Sequence, residues 1–579
     1  MDLRNVVFAI ALSFAVLFGW SVIFENPQIE EQKKLEQTQG LEKNDNKNTD
    51  APSVNIEKER VLNISRDDAI KSVKRVNFEN ENVKGSISLK GFLIDDILFK
   101  KYNTEVNSDE KVKYLNPSET NDGYFVETGW AASNITNTSL PTKNSIWKVV
   151  GNNKLSVGNP VTAEWNNKSG LTFRKRIELD EKFLFKVTQE VQNNSSQRVE
   201  LYPYAQITRN QDPDVVDFYI LHEGFIGVFD EDLQEEGYDD IKEKKKEYSA
   251  GEGWLGITDK YWLTALVPEK NQPFKGEFTY KNGFKANYIQ NKPVVIQPSG
   301  SGISESKIFI AAKEVKVIDG YAETEGINKF DLTIDWGWLY FLTKPLFFIM
   351  NYLFELTKNF GIAIVLVTAA VRLLFFPLAN YSFRSMAKMK ILQPELLRLK
   401  ELHKEDKVKL QQEMMALYKR EKVNPLSGCL PILIQIPFFF AIYKMLFISL
   451  EMRHQPFFGW IKDLSAQDPT SIFNFFGLIP WDPPSFLIIG AWPIMMGATM
   501  YLQQKLNPTP PDPIQAKIFM FFPLFLTIIL APFPSGLVVY WTINNILTIA
   551  QQWVIYLSLI HISEPTRRTP ISYAVFCLK

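Results

Sequence analysis

Long apolar runs dominate two parts of the chain. They contain only two charged residues, Arg372 and Lys444, and they occupy residues 5–24, 359–383, 425–450, 483–504 and 518–556. A run of about 20 apolar residues is long enough to cross the hydrocarbon core of a bilayer as a helix. The last run is too long for one span, and the sequence PFPSG at 532–536 predicts a turn in its middle. The pattern therefore predicts six transmembrane helices.

Residues 61–335 have a different pattern, in which apolar and polar residues alternate with period two. Residues 83–89, 171–177 and 183–191 are examples. This alternation predicts strands with one buried face, and hence a large all-β sandwich domain. Residues 230–248 are a charged exception and indicate a surface loop or helix. We find no catalytic constellation in this domain, which favours a structural or partner-binding role over an enzymatic one.

Charge divides the chain at the same point. Residues 1–335 carry 42 basic and 52 acidic residues, whereas residues 336–556 carry 19 basic and 12 acidic ones. Residues 384–422 contain 11 Lys and Arg against 6 Asp and Glu, whereas residues 451–482 are acidic in balance. The positive-inside rule puts the first of these loops in the cytoplasm and the second outside. The β domain is therefore predicted in the periplasm of a bacterium, with both termini in the cytoplasm.

The remaining segments complete the predicted organisation. Residues 1–24 form an anchor, since no small-residue cleavage motif precedes Glu25; a cleaved signal peptide is the alternative. Polar residues 25–60 form a disordered tether. The Trp and Tyr residues at the start of 336–358 are typical of a helix lying at the membrane surface. Four segments remain. We assign residues 384–424 as a cytoplasmic helical hairpin and residues 451–482 as a periplasmic loop. Residues 505–517 form a cytoplasmic loop, and residues 557–579 form a tail.

The sequence offers little for catalysis or metal binding. It has two cysteines, Cys429 and Cys577, and four histidines that do not pair at ligand spacing. It has no phosphate-binding loop and no His-Glu-x-x-His motif. ATP-driven transport and metalloproteolysis are therefore disfavoured, and we predict a protein that is not an enzyme, with no metal, no cofactor and no small-molecule substrate.

Arg372 is the most informative residue, because it lies near the middle of the 359–383 run. A charge at that depth costs from about 2.5 to more than 10 kcal/mol unless it is solvated. The other runs contain no Asp, Glu or His to pair with it. The remaining partners are water, lipid phosphate and neutral side chains, for which the candidates are Thr368, Gln435, Tyr540, Asn544 and Asn545. This indicates a hydrated cavity reaching into the bilayer; an arginine bound to backbone carbonyls between helices is the alternative.

Such a cavity would lower the cost of moving a polar segment of another polypeptide out of the cytoplasm. Phe439, Trp541 and Met496 could then contact the apolar helix of that client. Lys444 is close enough to Glu451 to reach the outer interface. Two other hypotheses remain open at this stage. One is a channel or solute transporter, although a proton relay would need an intramembrane carboxylate or histidine; the other is a periplasmic receptor or enzyme anchored by the helices.

The predicted cytoplasmic hairpin carries apolar residues at helical spacing. One interpretation is a stalk whose apolar stripe is filled by its own partner helix. The other uses four flexible thioethers as an adaptable surface for apolar segments, with the basic residues facing ribosomal RNA or anionic lipid. The four residues are Met386, Met389, Met414 and Met415.

Several short strings resemble the YidC/Oxa1/Alb3 membrane protein insertase family, in its long Gram-negative YidC form. They are SMAKMK at 385–390, QP at 393–394, QEMMALYK at 412–419, VNP at 423–425, DLSAQDP at 463–469 and FPSG at 533–536. The resemblance covers residues 331–556 strongly and the β domain only in outline. It implies a five-helix core with a groove open to cytoplasm and lipid, in which Arg372 occupies the position of the family's arginine. It also implies a β-supersandwich domain in the periplasm.

The resemblance further implies the function and the partners. The protein is expected to insert nascent membrane proteins into the bacterial inner membrane, alone or with the Sec translocon, and to contact the ribosome transiently. Two features depart from the family pattern. Lys444 replaces a residue that is usually uncharged, and residues 558–579 resemble translated sequencing-adapter sequence rather than a basic tail. We exclude that tail from fold reasoning.

Overall fold

A computed structural model describes most of the chain. It covers residues 64–132, 140–213, 221–404, 406–421, 423, 430–481, 483–484, 487–507 and 513–563. The predicted anchor at 1–24 and tether at 25–60 lie outside these ranges, as do Cys429 and residues 564–579.

The described residues of the predicted β domain contain twenty strands in two sheets. Their bounds are β1 Arg75–Glu79, β2 Val83–Ser88, β3 Leu93–Asn103, β4 Lys111–Leu115, β5 Tyr124–Ala131, β6 Lys148–Val150, β7 Lys154–Leu155, β8 Val161–Asn166, β9 Leu171–Leu179, β10 Leu184–Asn193, β11 Val199–Arg209, β12 Gly224–Phe229, β13 Asp232–Glu236, β14 Lys246–Ala250, β15 Gly253–Thr258, β16 Trp262–Val267, β17 Phe274–Tyr280, β18 Phe284–Gln290, β19 Val294–Ile296 and β20 Ser301–Ala312. One sheet has the order β14-β17-β18-β11-β5-β3-β2-β1-β7, with β4 and β19 at its side; the other has the order β13-β12-β15-β16-β20-β10-β9-β8-β6.

The two sheets pack face to face through aromatic side chains. Phe78 of β1 contacts Phe185 of β10 at a ring-centroid distance of 5.3 Å, and Phe225 of β12 contacts Phe278 of β17 at 5.1 Å. Trp254 is fully buried among them. Aromatic residues bury large areas, so these contacts supply much of the hydrophobic stabilisation of the sandwich. The all-β sandwich predicted from the period-two pattern is confirmed.

The charged segment at 230–248 is more regular than predicted. It contains strand β13, the short helix α2 and the first residues of strand β14, so only its middle is helical. The α-helices in the described part of the β domain are α1 Arg66–Ser72, α2 Tyr238–Glu243 and α3 Val315–Thr324. Helix α3 follows β20 and leads towards the helical part of the chain.

Apart from the connection at 449–490, the rest of the described chain is mainly helical, as predicted. The helices are α4 Tyr340–Thr357, α5 Phe360–Leu374, α6 Phe376–Leu402, α7 Lys407–Arg420, α8 Leu430–Ile448, α9 Ala491–Leu506, α10 Pro513–Leu530 and α11 Ser535–Ser563. Within the described residues no single helix is both long and apolar enough to count as a membrane span, whereas the bent pair α5 and α6 meets that measure when taken together. The number of spans therefore stays a prediction.

The predicted continuous helix at 359–383 is interrupted. Helices α5 and α6 meet at Phe375 with a bend of 68°. Pro377 lies in the first turn of α6, and a proline there lacks the N–H group that a continuous helix would need and clashes with the preceding turn. Helix α6 therefore starts inside the predicted span and runs without a break into the predicted cytoplasmic hairpin.

Two other boundaries differ from the prediction. Helix α9 starts at Ala491, not at residue 483, because the carboxylate of Asp468 accepts the N–H of Trp492 at 2.9 Å and defines the first turn. Helix α11 continues to Ser563, beyond the predicted end at 556. The turn predicted within 532–536 is present between α10 and α11.

A glycine permits the close approach of α9 and α10. A Cβ atom on Gly497 would lie 2.0 Å from Oγ1 of the buried Thr527, which donates to the carbonyl of Pro523 at 2.8 Å. We therefore expect Gly497→Ala to lower the free energy of unfolding by about 1–3 kcal/mol through overpacking. Gly320→Ala is the matched control, since no atom lies within 4 Å of a Cβ there. Thermal unfolding of the purified full-length chain in detergent measures both, and equal melting temperatures would contradict the packing argument.

Charged side chains join the β domain to the helices. The ammonium group of Lys444 on α8 contacts Oδ2 of Asp335 at 2.6 Å, and Asp335 also accepts the backbone N–H groups of His222 and Gly337, each at 3.1 Å. Lys444 is thus held by a carboxylate of the segment that joins the β domain to the helices. That this end of α8 lies at the outer interface stays a prediction.

Further contacts extend this junction. The guanidinium of Arg453 donates to the carbonyls of Asn103 and Thr104, at 2.8 and 3.1 Å, and Oε1 of Glu451 accepts the N–H of Val315 at 3.2 Å. Burial raises the pKa of Glu451 and lowers that of Lys313, nearby in the β domain, to about 8. Polar contacts from the end of β3, the start of α3 and Asp335 therefore fix the β domain to the C-terminal end of α8 and to the residues that follow it.

Candidate functional site

Arg372 lies in the last turn of α5, just before the bend. Its Nε atom donates to Oδ1 of Asn544 on α11 at 2.8 Å, and Nη2 donates to the carbonyl of Asn544 at 3.4 Å. Among the described residues no carboxylate lies within 4.0 Å of the guanidinium. An arginine has five N–H donors, so this half-buried cation keeps donors for a further partner.

The predicted partners of Arg372 separate into one that binds it and several that do not. Thr368 donates to the carbonyl of Ile364 at 2.6 Å, one turn earlier in its own helix, and so does not bind Arg372. Asn545 donates to Oγ1 of Thr499 at 3.2 Å and belongs to the contact between α9 and α11. Gln435 is half-buried on α8. The alternative, in which backbone carbonyls alone bind Arg372, is also incomplete, because the shorter of its two hydrogen bonds goes to the side chain of Asn544.

A polar stripe on α11 continues from Asn544. Thr548 donates to the carbonyl of Asn544 at 2.6 Å, and the fully buried Gln552 donates to Oδ1 of Asn507 at 3.0 Å. Asn544, Thr548 and Gln552 are spaced four residues apart and so share one face of the helix. Of these three, only Asn544 was predicted from the sequence, although the four-residue spacing is visible there. We call these three residues the polar stripe.

Aromatic side chains lie beside Arg372 and the polar stripe. Phe439 on α8 contacts Trp541 at a centroid distance of 4.8 Å and Tyr540 at 6.3 Å. Tyr540 is one turn before Asn544 and is buried. The structure thus brings four predicted residues, Arg372, Phe439, Tyr540 and Asn544, to one place where α5, α8 and α11 meet.

Met496 is not available to a client. It is fully buried on α9 and packs with Leu530 and Val538 of the α10–α11 hairpin. The expectation that it faces a client helix is therefore wrong, because the α9–α10 contact at Gly497 closes over that face.

The methionines of the α6–α7 hairpin, which is predicted to be cytoplasmic, differ in their exposure. Met386 is buried and packs with Phe383 and with Ile555 of α11, and Met389 lies half-buried against the same cluster. Met414 is half-buried and Met415 is exposed. Arg420 contacts Glu395 at 2.9 Å, which pairs α7 with α6. The four methionines therefore do not form one continuous surface, since part of the apolar stripe is filled within the protein.

This arrangement suits binding rather than bond-breaking chemistry. Within the described residues no group of three or more His, Cys, Asp and Glu side chains could hold a metal ion. What Arg372 and the polar stripe offer is a cation and neutral polar groups between apolar helices. A cation in surroundings of low dielectric constant attracts anionic or strongly polar groups more strongly than it would in water.

Comparison with protein-family models gives two matches that cover both halves of the chain. The YidC periplasmic domain matches residues 75–349, and the 60Kd inner membrane protein matches residues 352–561. The boundary between the two matches falls inside α4.

Curated relatives cover most of the chain. The membrane protein insertase YidC of Pelagibacter ubique is 56% identical over 555 residues, which are 96% of this chain and 98% of that protein. The protein of the same name from Brucella suis is 46% identical over 85% of this chain and 82% of its own length. A crystal structure of an active YidC insertase aligns with 82% of this chain and 92% of its own, with 18% identity and a TM-score of 0.35. From its identity to these relatives over nearly its whole length, the chain belongs to the YidC family of membrane protein insertases.

Proposed function

We propose that this protein inserts nascent membrane proteins from the cytoplasm into the inner membrane, and that Arg372 and the polar stripe form the path for their polar segments. The observation that carries this proposal is the state of Arg372. It lies between apolar helices, binds one neutral residue and has no carboxylate within contact among the described residues. A buried cation without an anion is costly, so the site favours a visiting acidic or polar segment.

The physical steps follow from the residues that meet there. A polar segment of the client exchanges water for the amide of Asn544, the hydroxyl of Thr548 and the guanidinium of Arg372, which lowers its desolvation cost. The apolar helix of the client contacts the aromatic residues Phe439 and Trp541. Transfer of that helix from water to lipid then supplies the driving force, so no nucleotide is needed.

The topology and the partners belong to the same proposal. The β domain lies in the periplasm, and both the N-terminus and the native C-terminus lie in the cytoplasm. The basic hairpin of α6 and α7 faces the cytoplasm and contacts the ribosome transiently, through the attraction of its Lys and Arg residues for RNA phosphates. Larger clients are inserted together with the Sec translocon. The exposed Met415, at the hairpin's surface, contacts apolar segments before insertion.

Translation of a small two-span client with proteoliposomes that contain only this protein tests the proposal. We expect the periplasmic loop of the client to become protected from added protease, and empty liposomes to give no protection. A melting curve of the reconstituted protein verifies that it is folded. Absence of protection with folded protein would contradict autonomous insertion, and flux of small solutes without a client would favour the channel hypothesis instead.

A further inference from the structure

The loop between α8 and α9 carries an exposed apolar surface that the proposed function does not use. Residues 470–481 contain no charged residue, and every residue from Ile472 to Trp481 except Asn474 is exposed. Leu478 is 85% exposed and Phe475 is 62% exposed. An apolar patch of this kind on a protein surface marks an interaction site. We call residues 472–481 the aromatic loop.

The aromatic loop has a defined structure. Phe476 N–H donates to the carbonyl of Ser471 at 2.7 Å, Ile479 N–H to that of Asn474 at 3.1 Å, and Gly477 N–H to Oδ1 of Asn474 at 3.0 Å. Most of its other N–H groups also donate within the loop or to its base. Backbone groups that are already paired can enter a region without water at little cost. The loop is therefore suited to an apolar environment in its backbone as well as in its side chains.

Backbone conformation holds two of the aromatic residues outward. Phe475 and Phe476 have φ values of 50° and 57°, in the left-handed region that bulky residues rarely adopt. Such a conformation costs free energy and persists only where surrounding contacts impose it. Here both rings face away from the protein, so the strained backbone places them on its surface.

The position of the loop identifies what covers it. The segment at its base caps the outer ends of the apolar helices: Ser535 N–H donates to the carbonyl of Ala466 at 2.7 Å, and Gly536 N–H to that of Leu464 at 2.9 Å. Ile472 N–H donates to the carbonyl of Ile489, just before α9, at 3.1 Å. The loop therefore starts where these helices end. Helix α10 also carries exposed apolar side chains, such as Phe525 and Ile528.

We propose that the aromatic loop inserts its side chains into the outer leaflet of the membrane. Trp481 at its end fits this position, because tryptophan favours the boundary between headgroups and hydrocarbon. The lipid contact would hold the segment at the base of the loop, which caps the ends of the apolar helices, at a fixed depth in the membrane. A protein partner or a second copy of this chain is the competing occupant.

Spin-label accessibility distinguishes these occupants. The full-length chain, with Cys429 and Cys577 replaced by serine, receives one label at Leu478→Cys or at Ile303→Cys, an exposed apolar residue of the β domain. It is reconstituted in vesicles of phosphatidylethanolamine and phosphatidylglycerol, with a polar nickel chelate on both sides. We expect the ratio of oxygen to nickel collisions to be at least about threefold higher at residue 478 than at 303, because the chelate does not enter hydrocarbon.

Two results would overturn the proposal. A ratio equal to that at residue 303 would put the loop in water, and low collision rates with both reagents would show that protein covers it. A second variant adds Phe475→Asn and Phe476→Asn to the labelled chain, since asparagine accepts the left-handed conformation and keeps the fold. The ratio at 478 should then fall to the value at 303; an unchanged ratio contradicts the role of the two rings. No client is present, so the outcome is independent of insertion activity.

Discussion

Replacing Arg372 with alanine should reduce insertion of a client with an acidic translocated segment at least tenfold, and insertion of a matched neutral client much less. Opposite charges about 4 Å apart in a partly hydrated protein site attract by about 4 kcal/mol, which is more than a tenfold effect. A neutral segment loses only hydrogen-bond donors. The measurement is protease protection of the two clients, which differ in the charge of one loop, by proteoliposomes containing the wild-type chain or the variant.

Two further variants separate charge from geometry. Arg372→Lys loses the planar guanidinium that bonds Asn544 through two nitrogens, but it keeps the positive charge. Because the charge is kept, this variant should retain most insertion of the acidic client. Asn544→Ala removes the side-chain acceptor and leaves the charge, and should have a smaller effect than Arg372→Ala on the acidic client. Equal losses for the acidic and neutral clients would rule out attraction of anionic segments as the role of Arg372.

Asp335→Ala should lower the free energy of unfolding by about 3 kcal/mol, because it removes the carboxylate that contacts the largely buried ammonium group of Lys444. The same change removes the acceptor of the His222 and Gly337 N–H groups. We therefore expect faster hydrogen exchange at these two amides, together with a lower melting temperature of the full-length protein in detergent. The exchange measurement reports on the junction itself, whereas melting reports on the whole chain.

The chain offers a control pair for this prediction. Lys316 and Glu355 also join the β domain to α4, at 2.6 Å, but their side chains are 68% and 51% exposed. Glu355→Ala should therefore cost less than about 1 kcal/mol. Combining Asp335→Ala with Lys444→Met should recover much of the lost stability, since the buried ammonium group that lost this carboxylate is then no longer present. Additive losses in that double variant would contradict a direct ion pair.

The fold class could be predicted because it follows from local periodicity. Alternation at positions such as 171–177 and 183–191 predicted strands that the structure shows as β9 and β10. The apolar runs likewise predicted the helical region. The bend at Phe375 was not predicted, although Pro377 stands in the sequence, because an apolar run was interpreted as one helix without weighing the backbone cost of proline.

The site was predicted in part, for a different reason. The cost of an isolated charge in an apolar run identifies Arg372 directly, and its partner had to be a polar residue on another helix. Choosing Asn544 over Gln435 or Asn545 requires the rotation of α11 and α8, which depends on packing between distant residues. The pair Asp335 and Lys444 is separated by 109 positions, so no local pattern could reveal it.

The bend at Phe375 also has a mechanical consequence. Helix α6 has 27 residues and is therefore a rod about 40 Å long, with its near end only a few residues from Arg372. Its far end, at Leu402, is the tip of the predicted cytoplasmic hairpin. A load applied at that tip would act through a long lever on a short joint, so a small sideways displacement near Phe375 would correspond to a much larger one at Leu402.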